Sequence, residues 1–189
     1  MAINRFATGT PYGCVEMNAA TWPRDGRVPS QLPLSATDFA NGARCENGFW
    51  LVYDEVAKEV KKPAALTDTV AVVYSAEKDY GMIGQGGLGY FSQGAGDMPR
   101  LGRPVIGDKY TTNTFCYDDS TFATPAALTA ALAAYATTAL YLIPSTTGVP
   151  QLVLLGGLST ATTIAKVIKY YTVPNGNPGI KVEFTTVNS

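Results

Sequence analysis

Apolar residues fall mostly into short runs along this chain and only once into a helical stripe, and the runs become regular from Gly48 onward. Gly48-Phe49-Trp50-Leu51-Val52-Tyr53, behind the turn pair Asn47-Gly48, predicts a strand. Residues 54–62 are charged and predict either a helical turn or a strand edge blunted by Lys58, Lys61 and Lys62, with Pro63 ending it. Residues 69–75, TVAVVYS, are β-branched and continuous, the clearest strand pattern present. Residues 109–117 predict another strand, ended by Asp118-Asp119. Further strands are predicted at 140–143, 151–155 and 165–173. A dense turn signal at 174–179 precedes a last strand at 180–187, so the final two strands predict a hairpin.

The single helical stripe lies near 125–136. Thr124 is a capping residue, Pro125 suits the first helical position, and Leu128, Leu132 and Tyr135 recur at i, i+4 and i+7. Alanines fill the remaining positions and favour helix. Residues 81–108 are rich in glycine, with Pro99 and Pro104, and predict a long loop or a set of short twisted strands. The sum is a mainly β fold, a small β-barrel or sandwich, with one short α-helix near 125–136 and an extended N-terminal arm.

The arm occupies residues 1–45 and the β-rich domain residues 46–189. Pro11, Pro23, Pro29 and Pro33 punctuate the first segment, and no strand or helix period is sustained in it. Yet Phe6, Tyr12, Trp22, Leu32, Leu34 and Phe39 are scattered through it, which a free tail would not favour. An arm laid over its own domain or over a neighbour accounts for both features. Phe6, Tyr12, Trp22 and Phe39, with Trp50, are therefore the candidate interaction residues, and the arm is expected to be removable from a folded core.

Charge then narrows the function. Only 15% of residues are charged, the formal net charge is -1, and there is no histidine. Near-neutrality gives no electrostatic reason to expect nucleic acid or an anionic membrane as partner. Lack of histidine removes the commonest general base and the commonest metal ligand. After Asp119 only Lys166, Lys169, Lys181 and Glu183 carry charge. The uncharged stretch includes 124–144, long enough for a bilayer span. It is mainly Ala and Thr, bracketed by Pro125 and Pro144, and has no flanking Lys/Arg cluster, so burial against neighbouring subunits is the preferred explanation. The first residues have no apolar run of signal-peptide length, so export is not expected. Cys14, Cys45 and Cys116 are widely spaced and odd in number, which predicts buried reduced thiols rather than a disulfide framework or zinc site.

No motif supplies chemistry. Gly84-Gln85-Gly86-Gly87-Leu88-Gly89 matches G-x-G-x-x-G but neither directly follows a strand nor opens a helix, as dinucleotide binding requires. Asp54-Glu55 and Asp118-Asp119 are sequence neighbours, which in a strand point to opposite faces and cannot converge as an acid-base pair. Catalytic, cofactor-binding and metal residues are thus none, and the chain is not expected to be an enzyme. Tyr110, Tyr117, Tyr135, Tyr141, Tyr170 and Tyr171 suit buried walls, interfaces or a carbohydrate site.

One resemblance is carried by Glu46-Asn47-Gly48-Phe49-Trp50-Leu51-Val52-Tyr53-Asp54, Tyr80, Pro99-Arg100-Leu101-Gly102 and Gly107-Asp108-Lys109-Tyr110-Thr111-Thr112-Asn113. The text there resembles bacteriophage virion structural proteins of the capsid decoration or cement type. That resemblance implies a virion location on the capsid surface after synthesis in host cytoplasm. It implies the major capsid protein or other virion proteins as partners, a homo-oligomer within the assembly, and no catalytic residues. The alternative expectation is a carbohydrate- or ligand-binding β module for host attachment, using the tyrosines and Trp50.

Overall fold

The computed structural model describes residues 3–6, 13, 15, 20–22, 27–29, 31–75, 92–158, 161, 163–172 and 178–187, and the account below concerns these. The fold is mainly β with one short helix. The strands are β1 Ile3–Arg5, β2 Cys45–Glu46, β3 Trp50–Asp54, β4 Glu59–Lys61, β5 Ala71–Val73, β6 Ser92–Gln93 and β7 Leu101–Gly102. They continue with β8 Lys109–Thr112, β9 Cys116–Asp118, β10 Leu140–Ile143, β11 Gln151–Leu154, β12 Ile164–Thr172 and β13 Pro178–Thr186. The helix, α1, spans Pro125–Ala133.

A seven-stranded sheet runs β1-β9-β11-β10-β12-β13-β8, antiparallel except for the β9–β11 pair. Its order contains a geometric constraint. β8 and β9 lie on opposite sides of the sheet, yet only Asn113-Thr114-Phe115 separates them in the chain. Six strands laid flat would span about 24 Å, whereas four Cα steps reach at most about 15 Å. The sheet therefore curls until its two sides come close, although no ladder joins β8 to β9 among the described residues. The strand expected over 109–117 is split at this point, because Thr114 leaves the ladder: its N–H donates to Thr112 Oγ1 (2.9 Å) and its hydroxyl to the Asn47 carbonyl (2.6 Å).

The concave side of the curled sheet is the first core. Along β12 and β13 the inward residues Ala165, Val167, Ile180, Val182 and Phe184 are buried, with Lys166, Lys181 and Glu183 between them on the other face. α1 adds Leu128 and Leu132, with Tyr135 partly buried beside them. Thr124 caps the helix by accepting the Ala127 N–H at 3.1 Å. The helix stops at Ala133, short of the expected 136, where Thr137 turns its hydroxyl back to the Ala134 carbonyl.

A four-stranded sheet, β4-β3-β5-β7, is buried on both faces at its centre. Trp50 and Val72 enter the first core, while Leu51, Ala71 and Val73 enter a second one with Leu34, Phe39, Phe49, Val60 and Leu101. This double burial is why the runs at 48–53 and 69–75 are continuous rather than alternating. The charged stretch at 54–62 resolves into a hairpin: β4 pairs antiparallel with β3 across the turn at 55–58.

Where they are described, residues before 45 pair with and pack into the rest of the chain. β1 forms the edge of the seven-stranded sheet against β9, and Val15 bridges Thr112. Trp22 is fully buried, its ring 5.3 Å from Tyr110 and 6.0 Å from Tyr74. The reading of Trp22, Phe39 and Trp50 as surface contact residues is corrected here. All three are buried in this chain's own cores and present nothing to a partner. Large aromatic rings are the most effective way to fill such cores, and burial inside the chain satisfies them as fully as burial in an assembly.

Candidate contact groove

The described surface holds an apolar groove of about 1120 Å³, whose floor includes the core residues Val70 and Ala71. Its most exposed apolar lining is Ile106, 68% exposed, and Val105, 47% exposed, which belong to the turn Val105-Ile106-Gly107-Asp108. Val28, 38% exposed, lies in the same lining.

The turn is rigid for reasons legible atom by atom. Gly107 has φ +92°, a conformation that suits glycine, and it places Ile106 at the apex. The Asp108 N–H donates to the Val105 carbonyl at 3.0 Å, and the Asp108 carboxylate accepts the Val105 N–H at 2.8 Å. Gly107 N–H donates to the Phe184 carbonyl and Phe184 N–H to the Asp108 carbonyl, both at 2.8 Å, which fastens the turn to β13.

Below the turn, Asp108 is only 5% exposed. Arg27 meets it with both guanidinium nitrogens, at 2.5 and 2.8 Å, and the Thr21 hydroxyl donates to it as well. Burial alone would raise the Asp108 pKa. The bonds from Arg27, Thr21 and Val105 outweigh burial and hold it below the ordinary carboxylate range. The second cation of the groove, Arg103, lies 5.4 Å from the Tyr53 ring centre and reaches Glu55 at 3.2 Å. Asp68 is occupied by the Ala64 and Ala65 N–H groups. Every charged group lining the groove is thus already engaged, and what remains for an incoming molecule is apolar surface on a fixed frame.

The carboxylate pairs considered from the sequence do not converge. Asp54 accepts the Val56 and Ala57 N–H groups and pairs with Lys61 at 2.6 Å, while Glu55 turns to Arg103. Asp118 accepts the Ser120 N–H, and Asp119 accepts the Asn4 amide. The Cys45 and Cys116 thiols are free and buried; burial is the main cause that pushes Cys116 up to about 12 and Cys45 higher still. Tyr110 hydroxyl accepts the Trp50 indole N–H at 2.8 Å inside the core, and burial raises its pKa. Among the described residues no group of three His, Cys, Asp or Glu side chains could hold a metal ion. No helix among them is long and apolar enough to cross a membrane.

Of the candidate interaction residues, Phe6 is half-buried and stacks on Phe115 with ring centres 4.4 Å apart. Tyr12, Cys14, Tyr80 and the glycine motif at 84–89 lie outside the described residues. The Ile106 turn was not among the candidates. Pro104 before it and Gly107-Asp108 within it are a turn signal, but which turn residues face solvent depends on Arg27, 81 positions away from Asp108. Comparison with protein-family models, with curated proteins and with solved structures returns no match to this chain.

Proposed function

We propose that the protein is a non-catalytic structural component of a phage particle, which stabilises or decorates the head shell through contacts with capsid neighbours. The observation that carries the contact role is Ile106, an apolar side chain held in solvent at the apex of a turn immobilised by buried Asp108 and its partner Arg27. A flexible loop would lose conformational entropy on docking; this turn has little left to lose. Isolated exposed apolar residues are ordinary, but Ile106, Val105 and Val28 line one groove together. The virion setting rests on the resemblance of residues 46–54, 99–102 and 107–113 to capsid decoration and cement proteins.

The test is occupancy. Particles produced with the wild-type chain are expected to contain it by mass spectrometry, and particles produced with Ile106→Asp to contain about a tenth as much or less. The isolated variant should unfold at the wild-type temperature, because Ile106 is outside both cores. Absence of the wild-type chain from particles sinks the virion reading. Full occupancy by the variant sinks the contact role of the turn.

A further inference from the structure

The charge missing from residues 120–165 returns on one hairpin. Lys166 on β12, and Lys181 and Glu183 on β13, alternate with the buried residues, and the register shift between Val167 and Lys169 brings Lys169 opposite Lys181, so all four occupy the outer, convex face of the curled sheet. The strand register arranges them in rows. Tyr141, Lys166, Glu183 and Lys109 are successive partners across β10, β12, β13 and β8. Lys169, Lys181 and Thr111 form the next row.

Glu183 is the one acid in these rows, and it is engaged by Lys109 at 3.6 Å. Lys169 and Lys181 are therefore direct cross-strand neighbours of like sign with no carboxylate between them, an arrangement that costs stability. Tyr171 stands beside them instead. Its ring lies 4.8 Å from the Lys169 ammonium and its hydroxyl bonds Thr111 at 2.9 Å, over the glycine opposite it, Gly179. The ring orients Lys169 without neutralising it.

We propose that this convex face docks an acidic segment of a partner protein, with carboxylates bridging Lys169 and Lys181 and a further one reaching Lys166. The face is separate from the Ile106 groove and does not depend on it. A protein segment suits the charges better than nucleic acid does. Fourteen Lys and Arg against fifteen Asp and Glu give the chain -1. Setting aside the four lysines and Glu183 of this face leaves ten against fourteen, so the rest of the molecule carries -4. A long polyanion would be attracted at the face and repelled beyond it, whereas a short acidic segment meets only the face.

The test uses the full chain and a fluorescein-labelled ten-residue oligoglutamate, followed by anisotropy at low salt. Lys169→Gln with Lys181→Gln is compared with Lys58→Gln with Arg100→Gln, which removes the same charge from exposed positions elsewhere. The first pair is expected to weaken binding by about tenfold or more and the control by no more than about twofold. Relief of the like-charge contact should leave the unfolding temperature of the first pair unchanged or raised. Equal weakening by both pairs, no binding by the wild-type chain, or tighter binding of a ten-nucleotide oligo-dT than of the peptide would each overturn the proposal. A marked drop in unfolding temperature for the first pair would also overturn it, since the lysines would then be serving the fold.

Discussion

Arg5 grips the buried carboxylate of Glu46 with both guanidinium nitrogens, at 2.6 and 2.8 Å, across 41 positions of sequence. The Gly13 N–H adds a third bond at 2.7 Å, and Glu46 is only 5% exposed. With Arg27 on Asp108, this makes two places where an N-terminal arginine neutralises an acid buried in the rest of the chain. Arg5→Ala is expected to cost about 3 kcal/mol, because it leaves Glu46 buried without its counter-charge. Arg5→Met with Glu46→Gln should recover most of that loss, since removing both charges removes the burial cost of each. Urea unfolding of the three proteins checks this; a single mutant as stable as the wild type refutes it.

The same relationship reverses the expectation that the first residues can be cut away. Deletion of residues 2–40 removes Trp22, Leu34 and Phe39 from the cores and both arginines from their carboxylates. The truncated chain is expected to lack a cooperative thermal transition and sharp near-ultraviolet dichroism. A folded, monomeric truncation would contradict the packing.

Gly102 supplies a sharper probe of that packing. A Cβ built there would stand 2.1 Å from Trp22 Cδ1, far inside contact distance, and Trp22 has no exposed surface into which to retreat. Gly102→Ala is expected to destabilise by about 3 kcal/mol, near the upper end of overpacking costs, and to shift tryptophan emission to longer wavelength. Unaltered emission and stability would mean that Trp22 is not seated on β7.

How far these features were legible in the sequence depends on how local their causes are. The β12–β13 hairpin and α1 were readable because alternation, a capping threonine and a turn cluster are all near neighbours. Their ends were less so: α1 stops three residues early, where the Tyr135 and Thr137 N–H groups turn to the i−3 carbonyls of Leu132 and Ala134. Trp22, Phe39 and Trp50 were read as contact residues, and all three lie inside this chain's own cores. The proline spacing before 45 shows an irregular backbone and carries no information on whether its aromatic rings fill this chain's core or a neighbour's. The contact groove was not legible, since Ile106 becomes notable only when Arg27 fixes Asp108 beneath it.

Acid should loosen the molecule through its depressed carboxylates. Asp108 lies below the ordinary carboxylate range and Asp54 at about 2, the latter held down chiefly by Lys61 and then by the Ala57 N–H. A group depressed on folding contributes stability above its unfolded value, about 3.9, and that contribution fades as pH falls toward the folded one. Stability from urea unfolding is therefore expected to be level from pH 7 to about 4.5 and to fall between about pH 4 and 2. Asp108→Asn should be less stable at pH 7, with Arg27 deprived of its partner charge, and should show a flatter acid limb. An acid limb identical to wild type in that variant would remove Asp108 from the account.

Thiol reactivity provides a last check on the second core. Cys45 and Cys116 are both 1% exposed, and burial raises both well above neutral pH, so the nucleophilic thiolate is scarce and unreachable in the folded chain. With Cys14 replaced by serine, the native protein at pH 8 is expected to react with an aromatic disulfide reagent at least about 100-fold more slowly than the same protein in denaturant, where two thiols should titrate promptly. The reaction in native conditions should then report opening of the core, and Arg5→Ala should accelerate it, because β1 shields β9 where Cys116 lies opposite Arg5. Prompt native reaction of either thiol would show that this core admits solvent far more readily than its packing implies.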